Sequence, residues 1–186
     1  MEKFTKISKK KKKKVNPILW SNDWVNIVQY EGWTIVEGID SIVCVPILMD
    51  SNQVVFRHEY IPTYKKKDGK EHYLNVIAGS IEEGETPEDC LRRELVEEAG
   101  IVLRDNLPIS FEDPLYVSKG CNTQYHICIL PLNRDDYYET HAKGDGSRAE
   151  KLSKSVKVNE INIENLKASD TITELMLMKV KKHLNL

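Results

Sequence analysis

Residues 78–101, AGSIEEGETPEDCLRRELVEEAGI, crowd eight acidic side chains and two arginines into one short stretch. Such a run folds only if its few apolar residues share a face and its charges find compensation. The stretch carries helix punctuation: Thr86 suits the N-cap, Pro87 the first helical position, Glu88 and Asp89 the positive end, and Gly100 the stop. On a helix turning about 100° per residue, Leu91, Leu95 and Ala99 form one apolar face. Glu94, Glu97 and Glu98 then fall together on the adjoining face, within about a third of the circumference. Like charges four residues apart repel by about 0.2–0.5 kcal/mol unless something compensates them. A divalent cation does so, and hard carboxylate oxygens suit Mg²⁺ or Mn²⁺ rather than Zn²⁺. Taken alone, an acidic helix also reads as a solvated face.

The spacing decides between these readings. Gly79, five residues, Glu85, seven residues, Arg93-Glu94-Leu95, then Glu97-Glu98 and Gly100-Ile101 matches the Nudix box at every position. With residue usages of about 6–7% each, chance produces the fixed positions on the order of 10⁻⁸ times per starting point. The resemblance implies a hydrolase of nucleoside diphosphates linked to a further group. It implies that Glu94 and Glu98 ligate Mg²⁺, that Glu97 does so directly or through water, and that the Ala78 carbonyl completes the site. Arg93 would orient the acidic cluster through ion pairs. Metal is needed because an anionic pyrophosphate repels a nucleophile until its charge is neutralised.

Around this helix the chain reads mainly as strands, rich in Val, Ile and aromatics: 23–30, 33–38, 41–48, 53–60, 72–79, 113–118 and 124–132. The run 65–70 reads as a turn, 141–151 as a polar loop and 154–161 as extended. Ile172, Leu175, Leu177, Val180 and Leu184 give 171–184 an amphipathic helical pattern. The expected fold is α+β: a Nudix-type α/β/α sandwich with a mixed sheet, plus amino-terminal antiparallel strands. The expected divisions are a disordered lysine-rich tail over 1–16, dimerising strands over 17–40 and a Nudix hydrolase domain over 41–186.

The flanks resemble the ADP-ribose pyrophosphatase subfamily. By that likeness DWVNIVQYEGWTIVEG, residues 23–38, belongs to a homodimer in which Trp24 and Trp33 sandwich an adenine, one from each subunit; simple packing is the other reading. KGDGSRAE, residues 143–150, resembles a loop whose glutamate, here Glu150, acts as general base. Three positions depart from the subfamily: Tyr60 stands for an arginine, Asn75 for a glutamate, and Lys119-Gly120 for a proline-glycine pair. Arg57 is a candidate to replace the missing arginine, although alternation sets Arg57 and His58 on opposite faces. Lys119 is a candidate phosphate contact, and Tyr60 a candidate stacking or hydrogen-bonding partner of a ribose.

The small net charge of −2 conceals an asymmetry, because residues 1–14 carry eight Lys and one Glu. The tail reads as solvated and disordered, or as a tether to a membrane surface or to nucleic acid such as RNA backbone. Three functions stay open: hydrolysis of ADP-ribose or a related nucleoside diphosphate sugar, hydrolysis of capped or triphosphorylated RNA ends, and nucleotide sensing without hydrolysis. No apolar run reaches the ~20 residues of a membrane span, and no hydrophobic signal core follows the basic start. Four cysteines without CxxC spacing read as free thiols, so a cytoplasmic location is expected. Neither a nucleophile elbow nor a P-loop is present, which leaves covalent catalysis and P-loop NTPase chemistry without support.

Overall fold

The alternation of two central strands sets the layering. In β4 (Ser41–Leu48), Ile42, Cys44 and Leu48 face one way while Val43, Val45 and Ile47 face the other, and all six are buried. In β5 (Gln53–Tyr60), Val55 joins the first set and Val54 and Phe56 the second. A sheet apolar on both faces must be covered on both. The first face takes α2 (Pro87–Glu94), through Cys90, Leu91 and the following Leu95. The second takes α3 (Thr171–Leu184), through Met176, Leu177 and Val180. The computed structural model describes residues 17–147 and 151–186; the lysine tail and Glu150 lie outside the described residues.

Among the described residues, ten strands form one mixed sheet. Its main path runs β1 (Ile18–Ser21), β2 (Val25–Tyr30), β3 (Trp33–Gly38), β10 (Cys121–Leu132), β4, β5 and β12 (Lys154–Asn159). β10 lies parallel to β4, from Tyr125 opposite Ser41 to Leu132 opposite Leu48. It meets β3 at the Cys121–Val36 pair, which ties the amino-terminal hairpin to the body. Glu31 and Gly32, at φ of 48° and 88°, make the two-residue turn between β2 and β3. β9 (Leu115–Ser118) lies antiparallel to β10. A separate pair joins β8 (Ile101–Leu103) to β11 (Tyr137–Glu139).

The segment read as one strand over 72–79 divides. β6 (His72–Asn75) pairs with β5, whereas β7 (Ile77–Ser80) pairs with β4, and Val76 spans the step. β4 and β5 themselves pair only at Ile47–Val54 and Leu48–Gln53. They therefore splay apart around β6 and β7, which brings Ala78 and Gly79 beneath α2. The run read as a turn at 65–70 is instead the end of a short helix, α1 (Pro62–Asp68), closed by Gly69 at φ 79°. Pro62 suits its first turn, and the Gly69 N–H donates to the Lys65 carbonyl. No helix among the described residues is long and apolar enough to cross a membrane.

Candidate active site

Local chemistry starts the acidic helix where the sequence predicts. Thr86 Oγ1 accepts from Asp89 N at 3.2 Å, and Asp89 Oδ2 accepts from Thr86 N at 3.0 Å, a reciprocal capping box. After Glu94 the helix widens into a π turn over Leu95–Ala99, a form that recurs at functional sites. Gly100 closes it at φ 65°, and a Cβ there would stand 2.2 Å from the Thr140 carbonyl oxygen. Gly79 is required for another reason: a Cβ would stand 1.8 Å from Glu94 Oε1. The Glu94 carboxylate thus lies directly across β7, in space that any side chain would fill.

Two arginines organise the acidic cluster. Arg93 grips Glu85 with a two-point fork, Nε to Oε1 at 2.8 Å and Nη2 to Oε2 at 3.1 Å. Its Nη1 reaches Glu94 at 2.6 Å and Glu97 at 3.3 Å, and Nη2 donates to the Ser80 carbonyl at 3.0 Å. This fork pulls the Glu85 carboxyl down to about 2. From the other side, Arg57 Nε stands 3.3 Å from Glu98 Oε1, and Nη1 donates to the Glu98 carbonyl at 3.2 Å. Glu98 Oε2 accepts from Ala78 N at 3.1 Å. Arg57 and Glu98 are both buried, at 2% and 6% exposure. Arg57 therefore sits beneath the helix as the partner of Glu98, where the sequence suggests a substrate contact. Strand alternation is the cause, since Arg57 shares the α2 face with Val55.

Glu94, Glu97, Glu98, Arg93 and Ala78 line one cleft of about 330 Å³, and Trp24 lines it too. A second recess of about 330 Å³ adjoins it across Glu97 and Glu98, and Lys143, Lys151 and Lys154 line it. The 140–146 loop docks on the helix end: Thr140 N donates to the Gly100 carbonyl at 2.7 Å, and Gly144 N to that of Glu97 at 2.9 Å. That docking carries Asp145 into the first cleft. The Ser147 N–H, donating to Asp145 Oδ1 at 2.6 Å, holds the Asp145 carboxyl below its usual range.

Other expected contacts lie elsewhere. Trp33 is 64% exposed at the hairpin turn, away from the residues lining this cleft. Lys119 borders a groove with Ile35 and Tyr116 instead. Tyr60 falls on the face opposite Arg57, with the Lys65 ammonium 5.4 Å from its ring centre. Sequence reasoning missed Glu59 and Asp145, which both line the cleft. The available signal was alternation, which sets Glu59 on the same face as Arg57.

Among the described residues, no three His, Cys, Asp or Glu side chains stand gathered for a metal ion. The helix carboxylates are turned to Arg93, Arg57 and the Ala78 amide. The donors lining the cleft are carboxylates, carbonyls and a serine hydroxyl, with no imidazole or thiol. That set fits a hard divalent cation.

The NUDIX domain family model matches residues 39–173. The ADP-ribose pyrophosphatases of Escherichia coli (strain K12) and Shigella flexneri are each 50% identical over 36 residues. That stretch is 19% of this chain and 17% of theirs, so the match spans less than a fifth of those relatives. A crystal structure of an ADP compounds hydrolase covers 92% of both chains with a TM-score of 0.66 at 16% identity. At that identity the likeness is one of fold.

Proposed function

We propose, from the premise that the chain belongs to the NUDIX domain family and is a hydrolase of that family, that it cleaves the pyrophosphate of ADP-ribose or a related nucleoside diphosphate sugar. The products would be a nucleoside monophosphate and a sugar phosphate. One observation carries this reading: Glu94, Glu97, Glu98 and Ala78 share a cleft with an indole, that of Trp24. The first four would hold Mg²⁺ or Mn²⁺, and Trp24 would stack a purine. Bound there, the cation would supply charge neutralisation of the pyrophosphate. Arg93 and Arg57 position the carboxylates, one from above the helix and one from beneath it. Glu150, which lies outside the described residues, is the proposed general base for the attacking water.

A homodimer belongs to the same proposal. Trp24 and Trp33 flank opposite ends of the β2–β3 hairpin, whose register runs from Val25–Gly38 to Tyr30–Trp33. Six-residue strands set the two indoles about 20 Å apart, too far to clasp one base within a single chain. A second copy could supply the missing face.

The test is product release with Mg²⁺ from ADP-ribose, UDP- and GDP-sugars, dinucleoside polyphosphates, nucleoside triphosphates and capped RNA. ADP-ribose or a nucleoside diphosphate sugar should be preferred. Glu98→Gln should lower kcat on the order of a hundred- to a thousandfold. A preference for triphosphates or capped RNA, or full activity in Glu98→Gln, would overturn the reading.

A further inference from the structure

The two cavities that meet at Glu97 and Glu98 differ in sign. Among the described residues, the cleft adds Glu59, Glu82, Glu94 and Asp145 to that pair, whereas the recess adds Lys143, Lys151 and Lys154. The docked loop sorts these charges. Gly144 and Gly146, at φ of 61° and 84°, bend the chain so that Lys143 lines the recess while Asp145 lines the cleft. Lys154 arrives from another element: it opens β12 opposite His58, where Tyr60 N donates to the neighbouring Ser153 Oγ at 3.0 Å. Arg57 also lines the recess, but it is engaged by Glu98 at 3.3 Å, and Glu97 lies at the same distance from Arg93. Among the described residues, no carboxylate pairs with Lys143, Lys151 or Lys154. Lys157, farther along β12, does pair, with Glu139 at 2.7 Å. Three ammonium groups in one concavity thus lack the counter-charge that the same strand's Lys157 finds.

We propose that this recess receives an anionic group carried on the non-nucleoside half of the substrate, a carboxylate or a phosphate on the distal sugar. The inference rests on the nucleoside diphosphate reading. Trp24 lines the cleft and not the recess, so the base marks the cleft as the nucleoside side. With the pyrophosphate at the helix carboxylates, the other half of the substrate extends past Glu97 and Glu98, where the recess begins. Its volume of about 330 Å³ stands at the small end of ligand pockets, which suits one sugar-sized group. A concave surface of one sign concentrates ligands of the other. Lysine also fits an anion of either geometry: an ammonium is a point charge on a flexible stem, without the planar fork that arginine imposes. A neutral sugar in the same place would leave the three charges as they are, so the recess discriminates by charge.

The experiment uses two ligand pairs that differ by one anionic group on the distal sugar: UDP-glucose with UDP-glucuronate, and ADP-ribose with ADP-ribose 1″-phosphate. Each pair is compared by KM in Mg²⁺ and by calorimetric binding with Ca²⁺ in its place. The unsubstituted protein should favour the anionic member about tenfold at low salt, and less as added salt screens the lysines. Combining Lys143→Gln, Lys151→Gln and Lys154→Gln should bring that ratio close to one. Lys157→Gln removes the same charge outside the recess and should keep the ratio. A ratio compares two ligands on one protein, so partial misfolding of a variant leaves it unchanged. Preference within one pair alone sustains the proposal and identifies the anion as carboxylate or phosphate. The proposal is overturned by no preference in the unsubstituted protein, by a preference that survives the triple substitution, or by equal loss in Lys157→Gln. Preferential binding lost in the triple variant, without any hydrolysis by the unsubstituted protein, would sink the hydrolytic reading and sustain this one.

Discussion

Residues 78–101 and residues 18–38 are similar in length and use their side chains in opposite ways. In the first, polar groups find partners inside the fold: Thr86 with Asp89, Glu85 with Arg93, Arg93 with Glu94 and Glu97. In the second, Trp20, Trp24 and Trp33 stand 51%, 66% and 64% exposed. Tyr30 at the hairpin end and Tyr116 on β9 are exposed as well. One stretch is self-sufficient, whereas the other presents large apolar surface of the kind that marks interaction sites. The acidic helix is assembled within one chain; the proposed base-binding clasp at both ends of a hairpin would need a second copy.

The largest expected effect strikes the first region at a distant support of its carboxylates. Arg57→Met leaves the buried Glu98 carboxylate without its guanidinium, and breaking a buried pair costs about 3–5 kcal/mol. Urea unfolding should show that loss, with activity falling about ten- to a hundredfold as Glu98 loses its orientation. An unchanged unfolding midpoint would mean that the helix holds Glu98 unaided, and the contrast between the regions would become absolute.

An intermediate effect tests the exposed region. Trp24→Ala and Trp33→Ala should each raise KM about tenfold, by loss of one stacking face. Mixing the two variants under subunit exchange should restore about one quarter of the unsubstituted sites, those of heterodimers pairing intact Trp24 with intact Trp33. No recovery on mixing, from a protein monomeric by light scattering, would return Trp33 to a packing or solvent role.

The smallest effect lies in the ion pairs of the box. The Glu85 carboxyl, held at about 2 by Arg93, is depressed from its ordinary value of 4.5. A depressed carboxyl adds stability above the unfolded value and loses it as pH falls toward the folded one. Thermal midpoints should therefore decline between about pH 4.5 and 2, and Glu85→Gln should flatten part of that decline. Identical acid-side slopes in both proteins would show that the fork is energetically idle.

Legibility followed sequence distance. The start of α2, its stop at Gly100 and the grouping of Glu94, Glu97 and Glu98 were readable, because their causes lie within a few residues. The central strands were equally readable from their runs of Val, Ile and aromatics. The short strands β1, β8 and β11 carry too few residues to show a period, and α1 hid inside a lysine run whose only punctuation is Pro62 and Gly69. The break at Val76 was invisible, since it depends on β4 and β5 parting to take separate partners.

The chemistry of the helix was written largely locally: the stop at Gly100 and the acidic face follow from punctuation and spacing, and the resemblance implied the ion pairs of Arg93, whereas the close approach of Gly79 to Glu94 and of Gly100 to Thr140 showed only in the fold. Tertiary structure decided what those groups face. It set Arg57 against Glu98 from 41 residues away, tied Glu59 to Asn75 and Thr173, and brought Trp24 but not Trp33 to the cleft. Helical and strand periodicities specify which face a side chain occupies, whereas its partner is specified only when a second element closes over that face.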